Sequence, residues 1–273
     1  SAAAFQIGVW VYTVGTSATD IITATIDNLS VTGTGRGASD WAGMRFEDYS
    51  TGAGNRQDID ITACTLTDNL NRGIHVRGGN ALVDIGTSTL TGNGKDAAAG
   101  QEGWGIYCGN TGSGNGSSVT VHNCYITNPA TFTSSVVAMG TNGGTLNAYN
   151  NKLDRNGTTN WLAKNASASF GSFTANCNWW GSACSQGFQV SPDLISEPVT
   201  IDTWLVGNTD GAGTGFQPLD ACRNNDAHIT GPDEVCSMST GNVYTTEAGR
   251  GTYNWLVDGG SITNGAGTNQ ITV

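Results

Sequence analysis

The sequence contains little charge and few basic residues. Only 12% of its 273 residues are charged, and 11 lysines and arginines stand against 22 aspartates and glutamates, which gives a formal net charge of −11. A protein that binds nucleic acid needs a basic face, so this balance argues against nucleic acid as a partner. It also disfavours polyanionic substrates, unless a bound cation reverses the local charge.

Long apolar runs are missing as well. No stretch of about 18 apolar residues occurs, so we predict no membrane-spanning segment. Residues 1–4 lack the basic start and the apolar core of a signal peptide. Because the first strand pattern begins almost at once and residues 271–273 read as the middle of a strand, we expect the chain to be part of a longer protein.

The sequence also lacks runs with helical periodicity, and it shows a repeat of short strand patterns instead. Residues 59–79, IDITACTLTDNLNRGIHVRGG, hold two short apolar runs on either side of a polar Thr-Asp-Asn corner. The first run recurs at residues 26–31, 85–90, 121–126, 148–153 and 175–180. The second run recurs at residues 8–11, 43–46, 105–108, 136–139 and 161–164. Repeats of this kind indicate a solenoid, a propeller or an array.

The spacing of the repeats favours a parallel β-helix over a propeller. Equivalent positions are 35, 24, 36, 27 and 27 residues apart, for Val31, Leu66, Leu90, Ile126, Leu153 and Trp180. A propeller blade needs four strands in roughly 40 residues, which the shortest interval does not provide. In a β-helix each strand pairs with its equivalent in the next coil, about 4.8 Å away, so that like residues stack in columns.

Two columns support this arrangement. Thr32, Thr67, Thr91 and Thr127 share one position, followed there by Asp154, and their stacked hydroxyls are predicted to satisfy backbone groups at a corner. Asn28, Asn123 and Asn150 share another position, and asparagine tolerates the left-handed conformation that a sharp bend requires. The alternative is that threonine and asparagine are simply common in this sequence.

The repeat resembles that of a known superfamily. Its pattern of apolar-x-Asn-Cys/Asn-x-apolar, then Thr-x-Asn-Gly, then Gly-Ile-x-Val is similar to the right-handed parallel β-helices of pectate-lyase-like enzymes and of many secreted bacterial surface proteins. The resemblance covers residues 1 to about 182. Residues 176–182, NCNWWGS, resemble the closing coil of such bacterial proteins, and residues 198–205 and 215–218 resemble the strap that follows it. One such scaffold carries many functions, so the resemblance implies the fold more than an activity.

The C-terminal residues follow a different pattern. Residues 229–232, 235–236, 253–257, 259–262 and 271–273 resemble the opening strands of a PKD-like, immunoglobulin-type module. In that resemblance Tyr253 and Trp255 form the core strand, and Gly259 and Gly260 begin the next hairpin. The module looks incomplete, which would leave an unpaired edge unless another strand covers it. The alternative is that this tail forms a cap on the β-helix.

We therefore predict an all-β chain in three parts. Residues 1–184 form a right-handed parallel β-helix of about six coils, residues 185–226 a strap or linker, and residues 227–273 a partial β-sandwich of the PKD-like kind.

Seven cysteines fit a secreted protein. Cys177 and Cys184 flank the Trp-Trp-Gly corner and are candidates for one disulfide, and Cys222 and Cys236 are candidates for another. Cys64 and Cys124 share a column with Ser88 between them, about 9.6 Å apart, which is beyond disulfide reach. We predict that these two, and Cys108 in the other strand series, are buried thiols.

Outward positions of the second strand series form a candidate glycan-binding face. Aromatic rings stack on sugar rings, and arginine and glutamate bond to sugar hydroxyls, so this mixture suits a saccharide. The alternative is a solvated face in which the Glu47–Arg77 pair contributes little. The face comprises Trp10, Tyr12, Arg45, Glu47, His75, Arg77 and Tyr107.

A second outward column places Asp60 beside Asp84, with Asp58 nearby. Carboxylates on adjacent coils could hold a calcium ion, or serve as acid and base in a polysaccharide hydrolase. The alternative is that they are simply hydrated or deter edge pairing. We assign no catalytic residue and regard no cofactor as certain.

The resemblance to β-helix segments joined to PKD-like modules, which look like parts of large secreted bacterial proteins, favours a non-enzymatic, secreted or surface-attached structural or adhesive protein with the β-helix as a rigid rod. Its partners would be surface glycans or polysaccharides, further modules of the same long chain, or other copies. One alternative is a polysaccharide lyase or hydrolase of the pectate-lyase-like superfamily. A second is the subunit of an extracellular filament that is joined by strand addition.

Overall fold

The stacked strand pairs seen in the repeat are present in the structure. The computed structural model describes residues 7–14, 21–34, 41–49, 56–96, 102–109, 116–131, 135–155, 161–166, 171–181, 195, 198–224, 229–232, 234–236, 238–246, 248 and 253–273. These residues contain strands and no helix. The chain divides into two compact units, residues 1–223 and 224–273.

Three parallel sheets make up the first unit. One sheet contains β1 (Val9–Thr13), β4 (Met44–Asp48), β7 (Arg72–Gly78), β10 (Gly103–Gly109), β13 (Val136–Asn142) and β16 (Trp161–Asn165). The second contains β2 (Ile21–Asp27), β5 (Arg56–Thr62), β8 (Ala81–Gly86), β11 (Ser118–His122), β14 (Thr145–Tyr149) and β17 (Ser172–Thr174). The third contains β3 (Ser30–Thr32), β6 (Thr65–Thr67), β9 (Thr89–Thr91), β12 (Tyr125–Thr127) and β15 (Lys152–Asp154).

The first five coils each contribute one strand to every sheet in turn, and a sixth coil adds β16 to the first sheet and β17 to the second. The prediction of an all-β fold with stacked parallel strands is therefore confirmed. We refer to the sheets as the first, second and third sheet below.

The core lies between the three sheets and is built from columns of apolar side chains. Ile74 pairs with Met44 on one side and with Ile106 on the other, and all three side chains are fully buried. In the third sheet Val31, Leu66, Leu90, Ile126 and Leu153 stack in the predicted register.

A column of glycines lies at the starts of the strands in the first sheet. A Cβ atom on Gly43 would lie 2.8 Å from the carbonyl oxygen of Gly73, and one on Gly73 would lie 2.5 Å from that of Gly105. The coils approach too closely there for a side chain, which explains the glycine of the Gly-Ile-x-Val pattern.

The predicted left-handed corner is also present. Asn28, Asn123 and Asn150 have φ values of 54°, 55° and 56°. The equivalent positions in the other coils, Ala63, Thr87 and Cys177, adopt the same conformation with φ values of 51°, 49° and 54°. The bend is thus a property of the coil. Contacts with neighbouring residues hold the left-handed conformation even at residue types that do not favour it.

Asparagine side chains supply buried hydrogen bonds at the corners. Thr32, Thr67, Thr91 and Thr127 do stack as predicted. The buried amide of Asn151, however, accepts a bond from the Cys124 backbone N–H at 2.9 Å and donates to the carbonyl oxygen of Val121 at 2.9 Å.

Two such asparagine ladders run along the axis of the coils. In one, Asn151 Nδ2 donates to Asn178 Oδ1 at 2.9 Å. In the other, Asn69 Nδ2 donates to Asn93 Oδ1 at 2.8 Å, and Asn93 Nδ2 donates to the Leu66 carbonyl at 2.9 Å. Each amide satisfies backbone groups that the corners leave without a sheet partner.

The strap after the last coil is fixed by a disulfide that differs from both predicted pairs. Cys177 bonds to Cys222, with 5.2 Å between their Cα atoms. Cys236 is free and exposed, and Cys184 lies outside the described residues. The physical reason is the path of the strap: β18 (Thr203–Leu205) follows the last coil, and β19 (Cys222–Asn224) pairs with β18, which brings Cys222 back to Cys177.

Three further cysteines are buried thiols, as predicted. Burial raises the pKa of Cys108 and of Cys124 to about 12, and it raises the pKa of Cys64 as well. A thiol with so high a pKa carries little thiolate at neutral pH, so these side chains act as small apolar core residues.

Loss of the disulfide should loosen the strap while leaving the coils intact. We expect Cys177→Ala/Cys222→Ala to lower the free energy of unfolding by about 2–4 kcal/mol, because the bridge closes a loop of 45 residues. Chemical denaturation followed by far-UV circular dichroism measures this. The single variant Cys236→Ala is the control, and an equal loss there would contradict the pairing.

The second unit contains a small antiparallel sheet. β20 (Val243–Thr245) pairs with β21 (Gln270–Thr272), Thr230 bridges to Thr245, and Asn264 bridges to Thr272. Residues 253–257, predicted as a central strand, are not part of a strand ladder in this structure.

Candidate functional site

The register of the first sheet brings the predicted face together. Trp10, Arg45, His75 and Tyr107 lie at paired positions on consecutive strands. Tyr12, Glu47 and Arg77 form the neighbouring column. The alignment that was inferred from the repeat therefore holds for all seven residues.

The face is not uniformly open, which corrects the picture of one continuous binding surface. Trp10 and Tyr12 are 56% and 52% exposed, whereas Glu47, His75 and Tyr107 are buried. The seven residues divide into a group that contains the exposed rings of Trp10 and Tyr12 and extends to Arg77 on the third coil, and a buried pair, His75 and Tyr107.

Glu47, although buried, is the centre of the group that contains Trp10 and Tyr12. Its Oε2 accepts a hydrogen bond from the indole Nε1 of Trp10 at 3.0 Å. Its Oε1 lies 2.5 Å from Nη2 of Arg45 and 3.4 Å from Nε of Arg77, and it also accepts a bond from the hydroxyl of Tyr49 at 3.3 Å. One buried carboxylate thus fixes two arginines and two aromatic side chains, and of these only Trp10 and Arg77 are distant from Glu47 in the sequence.

Aromatic rings cover these charged groups. The Arg45 guanidinium lies 5.8 Å from the Trp10 ring centre, and that of Arg77 lies 5.5 Å from the Tyr49 ring centre. The rings of Trp10 and Tyr12 are 5.5 Å apart, and those of Tyr12 and Tyr49 are 5.9 Å apart. We call Trp10, Tyr12, Arg45, Glu47, Tyr49 and Arg77 the Glu47 cluster.

Tyr49 was not among the predicted residues. It lies two positions after Glu47, on the same side of the chain as Arg45 and Glu47, and this alternation was the signal that could have identified it. Burial raises the pKa of the Tyr49 hydroxyl, and the negative charge of Glu47 raises it further. The hydroxyl therefore stays protonated and donates to Glu47 at neutral pH.

His75 and Tyr107 belong to a closed cluster. The His75 and Tyr107 rings are 5.2 Å apart, and Tyr107 packs on Trp104 with ring centres 4.7 Å apart. Arg72 lies 4.6 Å from the Tyr107 ring centre and donates to His75 Nδ1 at 2.9 Å. Because these side chains pack on one another, they support the sheet rather than offer a binding surface.

The acidic column lies on the second sheet. Asp60 and Asp84 pair directly on β5 and β8, at one side of an open groove of about 580 Å³ that Thr23, Leu82, Ser118 and Thr120 also line. Asp58 bonds to Arg56 at 2.8 Å, and Asp84 lies 3.3 Å from Nε2 of His122.

Asp58 and Asp84 are therefore turned toward different partners. Within the described part of the chain, no three His, Cys, Asp or Glu side chains are arranged so that they could hold a metal ion. The calcium site at Asp58, Asp60 and Asp84 stays a prediction. No helix in the described residues is long and apolar enough to span a membrane.

The second unit matches a known family. Residues 223–273 match the PKD-like domain family. The PKD-like domain begins where the structure divides, between residues 223 and 224. A PKD-like domain suggests an extracellular adhesive or structural module, and the Cys177–Cys222 disulfide points the same way. No curated protein and no solved structure matches the chain.

Proposed function

We propose that the chain is a non-enzymatic, secreted adhesive protein whose β-helix carries a saccharide-binding platform, the Glu47 cluster. The observation that carries this proposal is the group of three exposed aromatic rings held around one buried carboxylate.

The rings have the chemistry that a saccharide needs. A sugar ring presents C–H groups on its faces and hydroxyls at its edge, so an aromatic face beside polar groups suits both. Trp10, Tyr12 and Tyr49 supply exposed ring surface, and Arg45 and Arg77, which are partly exposed, lie at its margin. Guanidinium N–H groups donate to sugar hydroxyls, and arginine is well suited to such directed bonds.

The rings are held in place before any ligand arrives. The indole N–H of Trp10 is bonded to Glu47, and Glu47 is bonded in turn to Arg45, so the Trp10 ring cannot turn freely. A side chain that is ordered in the free protein loses less conformational entropy on binding. This favours a binding role over an incidental arrangement of surface side chains.

The β-helix gives the platform a rigid base. Each coil packs against its neighbours over three sheets, and a solenoid of this kind behaves as a stiff rod. Joined to a PKD-like domain, the rod would display the platform outside the cell, as one part of a longer surface protein of the kind that bacteria secrete.

Removal of one platform ring should weaken binding without unfolding the coils. We expect Trp10→Ala to lower the affinity for a bound polysaccharide by about five- to thirtyfold, since a stacked aromatic contributes on the order of 1–2 kcal/mol. Affinity gel electrophoresis against a panel of soluble glucans, xylans and pectins identifies the ligand, and calorimetry then measures the affinity.

Tyr149→Ala is the matched control. Tyr149 is 42% exposed on the second sheet, outside the Glu47 cluster, so its loss should leave the affinity unchanged. Unchanged affinity in both Trp10→Ala and Tyr12→Ala would overturn the proposal. Release of shortened or unsaturated sugars from the same panel would instead favour the hydrolase or lyase alternative, for which Asp60 and Asp84 are the residues to replace.

A further inference from the structure

The outer face of the third sheet carries a regular array of hydroxyl side chains. In each of β3, β6 and β9 the middle residue, Val31, Leu66 or Leu90, is buried in the core. The residues on either side of it therefore face outward. We call these outward residues the threonine array: Ser30, Thr32, Thr65, Thr67, Thr89 and Thr91.

The pairing of the strands fixes the spacing of this array. The strands align the side chains in two columns along the stack: Ser30, Thr65, Thr89 and Thr32, Thr67, Thr91. Equivalent positions in one column are about 4.8 Å apart, and the two columns are about 6.6 Å apart, which is twice the rise per residue of a parallel strand. Because threonine is branched at Cβ and has few rotamers, its hydroxyl is held in place before any ligand arrives.

The array is open to solvent. Ser30, Thr32 and Thr65 are exposed, and the other three residues are half-buried. Within the described residues, none of the six hydroxyls bonds to another group of the chain. The array also lies on the side of the coils, so a coil added to the stack would lengthen the two columns and would not cover them.

The array contains no charge and has a defined border. At the fourth coil Tyr125 follows Thr89 in its column, packs on Phe216 of the strap with ring centres 5.8 Å apart, and donates to Asp210. Charged side chains enter the columns only at the fifth coil, with Lys152 and Asp154. An uncharged patch of evenly spaced hydroxyls does not attract ions over a distance, and it suits a neutral surface whose hydrogen-bonding groups repeat at the same intervals.

Ice is a surface of this kind. Each water molecule in ice bonds tetrahedrally to four others at about 2.75 Å, so two oxygens that share a neighbour are about 4.5 Å apart, and the axial repeat of the lattice is about 7.3 Å. Both spacings of the array agree with these lengths to within about a tenth. A threonine hydroxyl donates and accepts hydrogen bonds, as a water molecule does.

We propose that the threonine array binds the surface of ice, with its hydroxyls and the water molecules between them at positions of the ice lattice. A single hydroxyl binds weakly, but six hydroxyls that are fixed in one arrangement engage the lattice together. The array lies on the third sheet and the Glu47 cluster on the first, so this proposal and that of saccharide binding can fail separately.

The test grows ice slowly in a dilute solution of the full chain and measures the fraction of protein that the ice takes up. Ice excludes ordinary solutes, so we expect the wild-type chain to be enriched in it. Thr67→Tyr places a large ring in the middle of one column and should lower the uptake at least about fivefold, because the neighbouring hydroxyls can no longer reach the lattice together. Thr65→Tyr, at an exposed position in the other column, should have the same effect.

Thr120→Tyr is the matched control. Thr120 is half-buried on β11 of the second sheet, as Thr67 is on β6, so the same substitution there should leave the uptake unchanged. Far-UV circular dichroism of each variant shows whether the coils remain folded. Exclusion of the wild-type chain from ice, full uptake of a folded Thr67→Tyr or Thr65→Tyr variant, or an equal loss in Thr120→Tyr would overturn the proposal. Retention on microcrystalline cellulose together with exclusion from ice would also overturn it, and would assign the array to a saccharide surface.

Discussion

Ile74→Asp is expected to unfold the coils on either side of β7. Ile74 is fully buried between Met44 and Ile106, in the middle of the apolar column of the first sheet. The substitution places a carboxylate where no counter-charge and no water can reach it, which we expect to cost more than about 4 kcal/mol. Chemical denaturation and limited proteolysis of the purified variant measure the loss.

The control replaces an outward apolar residue with the same acid. Leu82 is 41% exposed on β8, so Leu82→Asp should change the free energy of unfolding by less than about 1 kcal/mol. A protease-resistant Ile74→Asp variant with full strand circular dichroism would mean that the inward and outward sides of the first sheet are assigned the wrong way round.

Asn151→Leu should lower the free energy of unfolding by about 3 kcal/mol, although leucine is apolar and of similar size. Asn151 is fully buried and joins three neighbours: it accepts from the Cys124 N–H and donates to the Val121 carbonyl and to Asn178 Oδ1. Leucine would leave the Cys124 N–H and the Val121 carbonyl without these bonds in a dry interior, where each unsatisfied group costs on the order of 1–3 kcal/mol.

Asn147→Leu is the matched control for this prediction. Asn147 points outward on β14 and is half-buried, so the same substitution there should be nearly neutral. If both variants unfold at the same denaturant concentration, the asparagine ladder contributes no more than any surface amide, and the corner depends on backbone geometry alone.

The columns of the β-helix could be predicted because like residues recur at like positions. Val31, Leu66 and Leu90 stack in the expected register, and Asn28, Asn123 and Asn150 adopt the left-handed corner. A parallel strand must pair with its equivalent in the next coil, so the sequence repeat translates directly into neighbours in space.

Features that depend on contacts outside the repeat could not be predicted. Cys222 reaches Cys177 only because β19 folds back along β18, and nothing in the spacing of the cysteines encodes that path. The burial of Tyr107 follows from packing against Arg72 and Trp104. These two residues lie near the starts of β7 and β10 and were not predicted to face outward. β20 was not predicted, because it lies in a Thr-rich segment without a clear alternation of apolar and polar residues.

Contacts outside the repeat also explain why the exposure of one predicted site residue differs from expectation. Glu47 was expected on an open face, but its partners Trp10, Arg45 and Tyr49 enclose the carboxylate. Alternation along a strand shows on which side of the sheet a residue lies. The exposure of that residue depends on whether the long side chains of its neighbours pack over it.

The direction of the ladder bonds has a mechanical consequence. Bonds between coils run along the axis of the stack, so a pull along that axis loads the interfaces between coils in series, each bearing the full tension. Such a stack should yield by peeling from an end, one coil at a time. The Cys177–Cys222 bond joins the last coil to the strap, so peeling from that end should need more force than separation of two coils that only ladder bonds connect. A stack under tension would therefore lengthen in small steps, one coil at a time.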